Sequence, residues 1–86
     1  MTNEQVIKLK DIMVSDLLQN EWSLADRPIM QIVTSKTEED LFWALYKVAQ
    51  YIGKRKGYKE EGISDLHASF VDGYWEKVGA SYPEHI

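Results

Sequence analysis

The sequence predicts an all-α bundle, and three observations carry that prediction. Apolar residues recur at helical spacing in three long segments. Each segment has capping residues or helix-favouring charges at its start. The single strand-like run, Ile29-Met30-Gln31-Ile32-Val33-Thr34, has no second run in the chain to pair with. At 86 residues the chain buries only ~60–65% of the surface its unfolded form exposes. One core is therefore the limit, and residues 1–86 are read as a single helical domain.

The first helix is expected over about residues 3–21. Thr2-Asn3-Glu4-Gln5 has the spacing of a capping box, in which the Thr hydroxyl takes the N3 amide and Gln5 reaches back. Val6, Leu9, Met13 and Leu17 then form one apolar stripe, with Ile7, Val14 and Leu18 as a second row beside it. Such a wide arc suits a helix with two neighbours, or one neighbour and a partner chain, and it predicts a homodimer. Residues 28–35 are the uncertain element. Pro28 fits the first turn of a short helix, whereas the Ile/Val/Thr content also suits a strand, which would require pairing across a dimer. A short helix or extended loop is the preferred reading.

The second long helix, 38–56, has the clearest local signals. Thr37 is a cap, and Glu38, Glu39 and Asp40 sit where the helix dipole favours anions. Leu41, Leu45, Val48 and Ile52 form its apolar stripe, with Phe42, Tyr46 and Ala49 alongside. Lys54-Arg55-Lys56 and Gly57 close it with cations and a residue suited to the left-handed C′ position. After a turn over 57–62, a third long helix is expected over 64–79, with Ser64 as cap and a stripe of Leu66, Phe70, Tyr74 and Val78. Val71 and Trp75 flank that stripe. Gly73 inside the helix costs about 1 kcal/mol against alanine, and so suggests a close helix–helix contact. Gly79 and Pro83 end the helix, and residues 84–86 are read as a frayed tail.

Charge is unevenly spread. Residues 1–40 carry −4, residues 41–59 carry +5 with no acid, and residues 60–86 carry −5. The net −4 opposes generic nucleic-acid binding, which depends on cations neutralising phosphates. The absence of cysteine removes disulfides, thiolate nucleophiles and Cys-based metal sites. No long apolar run suggests a membrane span, and no basic-then-apolar leader is seen, so a cytoplasmic chain is expected.

Little in the sequence suggests catalysis. Serines and threonines fall at caps and on polar faces, not in a nucleophile-elbow turn. His67 and Asp72 are five apart, a poor metal-ligand spacing, and His67 is expected to be a partly exposed residue near a helix start. No phosphate loop is present. The chain is therefore read as non-catalytic, with no cofactor and no metal.

Two positive features remain. Residues 53–59 hold Lys54, Arg55, Lys56, Tyr58 and Lys59. There are also ten aromatic residues, more than one narrow core hides, and Trp43 and Tyr51 project about 80–120° off the apolar arc of their helix. Trp43, Lys47 and Lys54 lie on one stripe, which Arg55, Lys56, Tyr58 and Lys59 continue. These seven are the expected partner-binding residues. They suit an acidic protein partner, with Trp43 as anchor and the cations steering. The expected function is a small helical protein that binds another protein as a regulator, inhibitor or immunity-type partner. The alternative is a helix-turn-helix-like nucleic-acid binder using residues 47–59; its weakness is that Glu60-Glu61-Gly62 is a poor start for a recognition helix.

Overall fold

The structure, a computed structural model, describes residues 1–82; the expectations placed on Pro83 and on the 84–86 tail lie outside the described residues. It contains four helices, α1 Asn3–Gln19, α2 Arg27–Thr34, α3 Glu38–Arg55 and α4 Glu60–Glu76, and no strand among the described residues. The all-α expectation holds, but the count is four and not three with an undefined element. α3 is the central helix, packed on α4 and α2, and α1 closes the bundle by bridging α2 and α4. No described helix is long and apolar enough to cross a membrane.

The caps read from the sequence form at α1 and α3. The Gln5 amide donates to Thr2 Oγ1 at 3.1 Å while Gln5 Oε1 accepts from the Thr2 amide at 2.9 Å. Thr37 Oγ1 accepts from the Asp40 amide at 3.1 Å. At the other end of α3, Gly57 has φ +77°. The Tyr58 amide donates back to the Gly53 carbonyl at 2.8 Å and that of Gly57 to Lys54 at 3.2 Å, so the final carbonyls find partners. α1 ends the same way, two residues earlier than expected. The Trp22 amide donates to the Leu17 carbonyl at 3.1 Å, and Glu21 takes the left-handed position with φ +74°.

Residues 27–34 are helical because helix, not strand, puts Ile29 and Ile32 on one side, where both are fully buried. Pro28 sits in the first turn, where its missing amide hydrogen costs nothing. α4 corrects the sequence reading more strongly. It begins at Glu60, four residues before the expected start, and Ser64 is an interior residue and not its cap. The extra turn brings Ile63 into the core and places Glu60 and Glu61 at the positive end of the dipole. The connection from α3 therefore shortens to residues 56–59.

Val6, Leu9, Met13 and Leu17 of α1 are buried as expected. The core line of α4 is rotated by about one position: Val71 and Trp75 are fully buried, whereas Leu66, Phe70 and Val78 are only partly covered. Trp75 keeps its indole nitrogen satisfied by donating to Glu38 Oε2 at 2.7 Å. His67, expected to be partly exposed, is buried, and its Nε2 meets the Phe42 carbonyl at 2.9 Å. A carbonyl only accepts, so Nε2 carries the hydrogen. Gly73 is exposed and an added Cβ there meets nothing within 4 Å, so it marks no helix contact. The close approach lies at Gly53, where an added Cβ falls 2.5 Å from Ile63 Cγ1.

The second apolar row of α1 is left largely uncovered. Ile7 is 60% and Leu18 37% exposed, while Val14 is partly buried. Gln5 donates to the Val78 carbonyl and Asp16 accepts from Tyr74, which fixes one flank of α1 against α4 and the segment after it. Lys10 Nζ donates to the Val33 carbonyl at 3.1 Å, so the opposite flank meets α2. The uncovered row lies beyond Lys10, on the α2 side.

Candidate protein-docking surface

α3 presents its polar stripe outward because its apolar stripe is used by α1, α2 and α4. Along that stripe run Trp43, Lys47, Gln50, Tyr51 and Lys54. Where the N-terminal end of α2 meets it, a groove of about 450 Å³ opens. Trp22, Pro28 and Tyr51 supply its apolar lining; Gln31 and Gln50 contribute amides. Arg27, Lys47 and Lys54 are exposed cations on its lining, and Asp26 is its one acid. The Asp26 carboxylate is already engaged, accepting from the Ser23 amide at 2.8 Å. The groove is thus cationic with an apolar lining.

One wall of this groove is a pair of rings. Trp22 and Tyr51 lie 5.1 Å apart between centroids at an angle of 58°, and the Arg55 guanidinium stands 5.7 Å over the Tyr51 ring. Beyond the pair lies a wider groove of about 810 Å³. Arg55, Lys56, Phe70 and Tyr74 are among the residues lining it, with Asp16 and Glu21 opposite in charge. The Tyr74 hydroxyl donates to Asp16, and burial together with that bond holds the phenol well above its usual range.

The seven residues expected to bind a partner separate into four groups. Lys47 and Lys54 line the α2–α3 groove, and Arg55 and Lys56 line its wider neighbour across the Trp22–Tyr51 pair. Trp43 is 51% exposed, its ring edge-on to Phe42 and Tyr46, and lines a separate dimple with Gln31 and Asp40. Gln31 joins that dimple to the groove. Tyr58 and Lys59 stand on the α3–α4 turn outside both grooves, with Tyr58 lying against Gly62.

Sequence reasoning missed Trp22, Arg27, Pro28 and Gln31. The signal for the α2 residues was the helix itself: once Ile29 and Ile32 face inward, Arg27 and Gln31 share one side about 40° apart, taking about 100° per residue. Trp22 carried no such signal, because its position depends on the left-handed turn at Glu21.

Among the described residues, no group of three or more His, Asp or Glu is placed to hold a metal ion. Set against models of known families, curated proteins and solved structures, the chain matches none.

Proposed function

We propose that this chain is a small non-catalytic protein that acts in the cytoplasm by binding another protein, as a regulator, inhibitor or immunity-type partner. The partner contributes a segment with both acidic and apolar side chains. The observation that carries this reading is the α2–α3 groove, where Trp22, Pro28 and Tyr51 line the space between Arg27, Lys47 and Lys54. An apolar anchor desolvates against the rings while carboxylates meet the cations, so the rings supply affinity and the charges supply rate and orientation.

The nucleic-acid alternative gains one point and loses another. A second helix follows the basic turn and starts at Glu60, where the sequence offered a poor start, so α3 and α4 have helix–turn–helix order. Yet α4 starts with Glu60 and Glu61 and exposes Asp65, Asp72 and Glu76 beyond them. A recognition helix presents its first turns to the duplex, and this one would present carboxylates to phosphates.

Titration of the isotope-labelled protein with a synthetic peptide carrying Glu and Leu at helical spacing tests the choice. Shifts confined to the surroundings of Trp22, Gln31, Lys47 and Tyr51 are expected, and Lys47→Ala with Lys54→Ala should abolish them. A lysine-for-glutamate version of the peptide should give none. Binding to duplex DNA with a steep salt slope, in place of the peptide response, would hand the function to the alternative.

A further inference from the structure

The uncovered row of α1 and the polar stripe of α3 match each other in spacing and in chemistry. On α1, Glu4, Ile7, Asp11 and Val14 follow one another at intervals of three, four and three, with Glu4, Ile7 and Asp11 all exposed. On α3, Trp43, Lys47, Tyr51 and Lys54 follow at intervals of four, four and three, and all four are exposed. Such spacing keeps each set on one face of its helix. The acids of α1 are seven residues apart and so are the lysines of α3. At 1.5 Å per residue both separations are about 10.5 Å.

We infer that the α2–α3 groove docks α1 of a second copy of this chain, antiparallel to α3. In that register Glu4 meets Lys54, Ile7 meets Tyr51, Asp11 meets Lys47, and Val14 comes opposite Trp43. Both ion pairs form together because the two spacings are equal. Between them Ile7, the most exposed large apolar residue of α1 at 60%, covers the Tyr51 ring, itself 49% exposed. Ile7 and Tyr51 thus become the apolar centre and the charges the rim, the usual distribution at a protein interface. The reversed register fits less well, since it sets Ile7 on Gln50 and Val14 beyond the end of α3 at Gly57. The contact is heterologous: one patch of each copy meets a different patch of the other.

This inference rests on the groove being a protein-docking site and names a second copy as an occupant. Sedimentation of the full chain at ~100 μM, at low and at high salt, is the test. A species heavier than 10.0 kDa is expected at low salt, lightening as salt is added. Lys47→Glu with Lys54→Glu should be monomeric, as should Glu4→Lys with Asp11→Lys, each keeping its helical spectrum. An equimolar mixture of these two variants should regain a complex, because each supplies the charge the other lacks. Ile7→Ser should weaken association at least tenfold without changing any charge. A clean monomer of the unsubstituted chain, or association indifferent to the lysine changes, overturns the inference. A monomer that still shows the groove shifts with the acidic peptide sinks self-docking alone; a monomer that ignores the peptide sinks the docking reading as well.

Discussion

Replacing glycine by alanine should have opposite effects at Gly53 and at Gly73, although both lie inside helices. In an open helix interior the change removes backbone freedom from the unfolded chain and gains about 1 kcal/mol. Gly73 is such a place: it is exposed, and an added methyl meets nothing within 4 Å. At Gly53 the same methyl lands 2.5 Å from Ile63 Cγ1 and 3.5 Å from Tyr58 Cβ. Carbon pairs settle at about 3.5–4.0 Å, so roughly 1 Å must be found. Ile63 is 4% exposed and β-branched on a helix, and has little rotamer freedom with which to yield. α3 and α4 must then separate, an overpacking penalty of about 1–3 kcal/mol that outweighs the propensity gain. Gly53→Ala should therefore lose about 1 kcal/mol net while Gly73→Ala gains about the same. At roughly 4–8 °C per kcal/mol for a chain of this size, the two melting temperatures should differ by about 8–16 °C. Thermal melts followed by far-UV circular dichroism measure this directly. Equal melting temperatures, or Gly53→Ala the higher, would refute the close approach of the two helices at this point. Adding Ile63→Ala in the Gly73→Ala background should remove the penalty, and Gly53→Ala should then gain the same roughly 1 kcal/mol that an open helix position gives.

Glu21→Gly should raise the melting temperature by roughly 2–8 °C, since φ +74° strains a residue with a Cβ and the acid also opposes the negative end of α1. Urea denaturation showing a loss would mean that the strain is not there. Trp43→Ala should leave the melting temperature within about 3 °C, because Trp43 is half exposed on the outer stripe; a drop of 10 °C or more, the scale of a lost core aromatic, would place it in the core. Alkali should destabilise the fold through Tyr74. Its folded pKa is raised by burial and by Asp16, so its contribution is fully present below the unfolded value of about 10 and fades as pH rises above it. Tyr74→Phe should flatten that alkaline limb in denaturation measured from about pH 9 to 12, and an unchanged slope would count against the assigned cause.

Much of the bundle was legible because its signals are local. Thr2–Gln5, Thr37 and Gly57 act within four residues of themselves, and all three do what their chemistry requires. The start of α4 was not legible, because Ser64 is the better cap and loses only to the burial of Ile63 against Gly53, a contact between residues ten apart. His67 was misjudged for a similar reason: its partner, the Phe42 carbonyl, belongs to another helix. For the candidate surface, periodicity was enough to put Trp43, Lys47 and Lys54 on one outward stripe. It could not supply the opposite wall. That wall comes from α2 and from Trp22, which the left-handed turn at Glu21 swings onto Tyr51.

The three tryptophans occupy three different environments, and this gives the molecule its own optical readout. Trp75 is sealed in the core and bonded to Glu38, so its emission changes only when the fold opens. Trp43 stands half in solvent and is open to collisional quenchers throughout. Trp22 is partly covered beside Tyr51, where a bound segment would shut out the remaining water. With Trp43 replaced by phenylalanine, the light from Trp22 follows occupancy of the groove while that from Trp75 follows unfolding. Binding and stability can then be separated in one unlabelled sample.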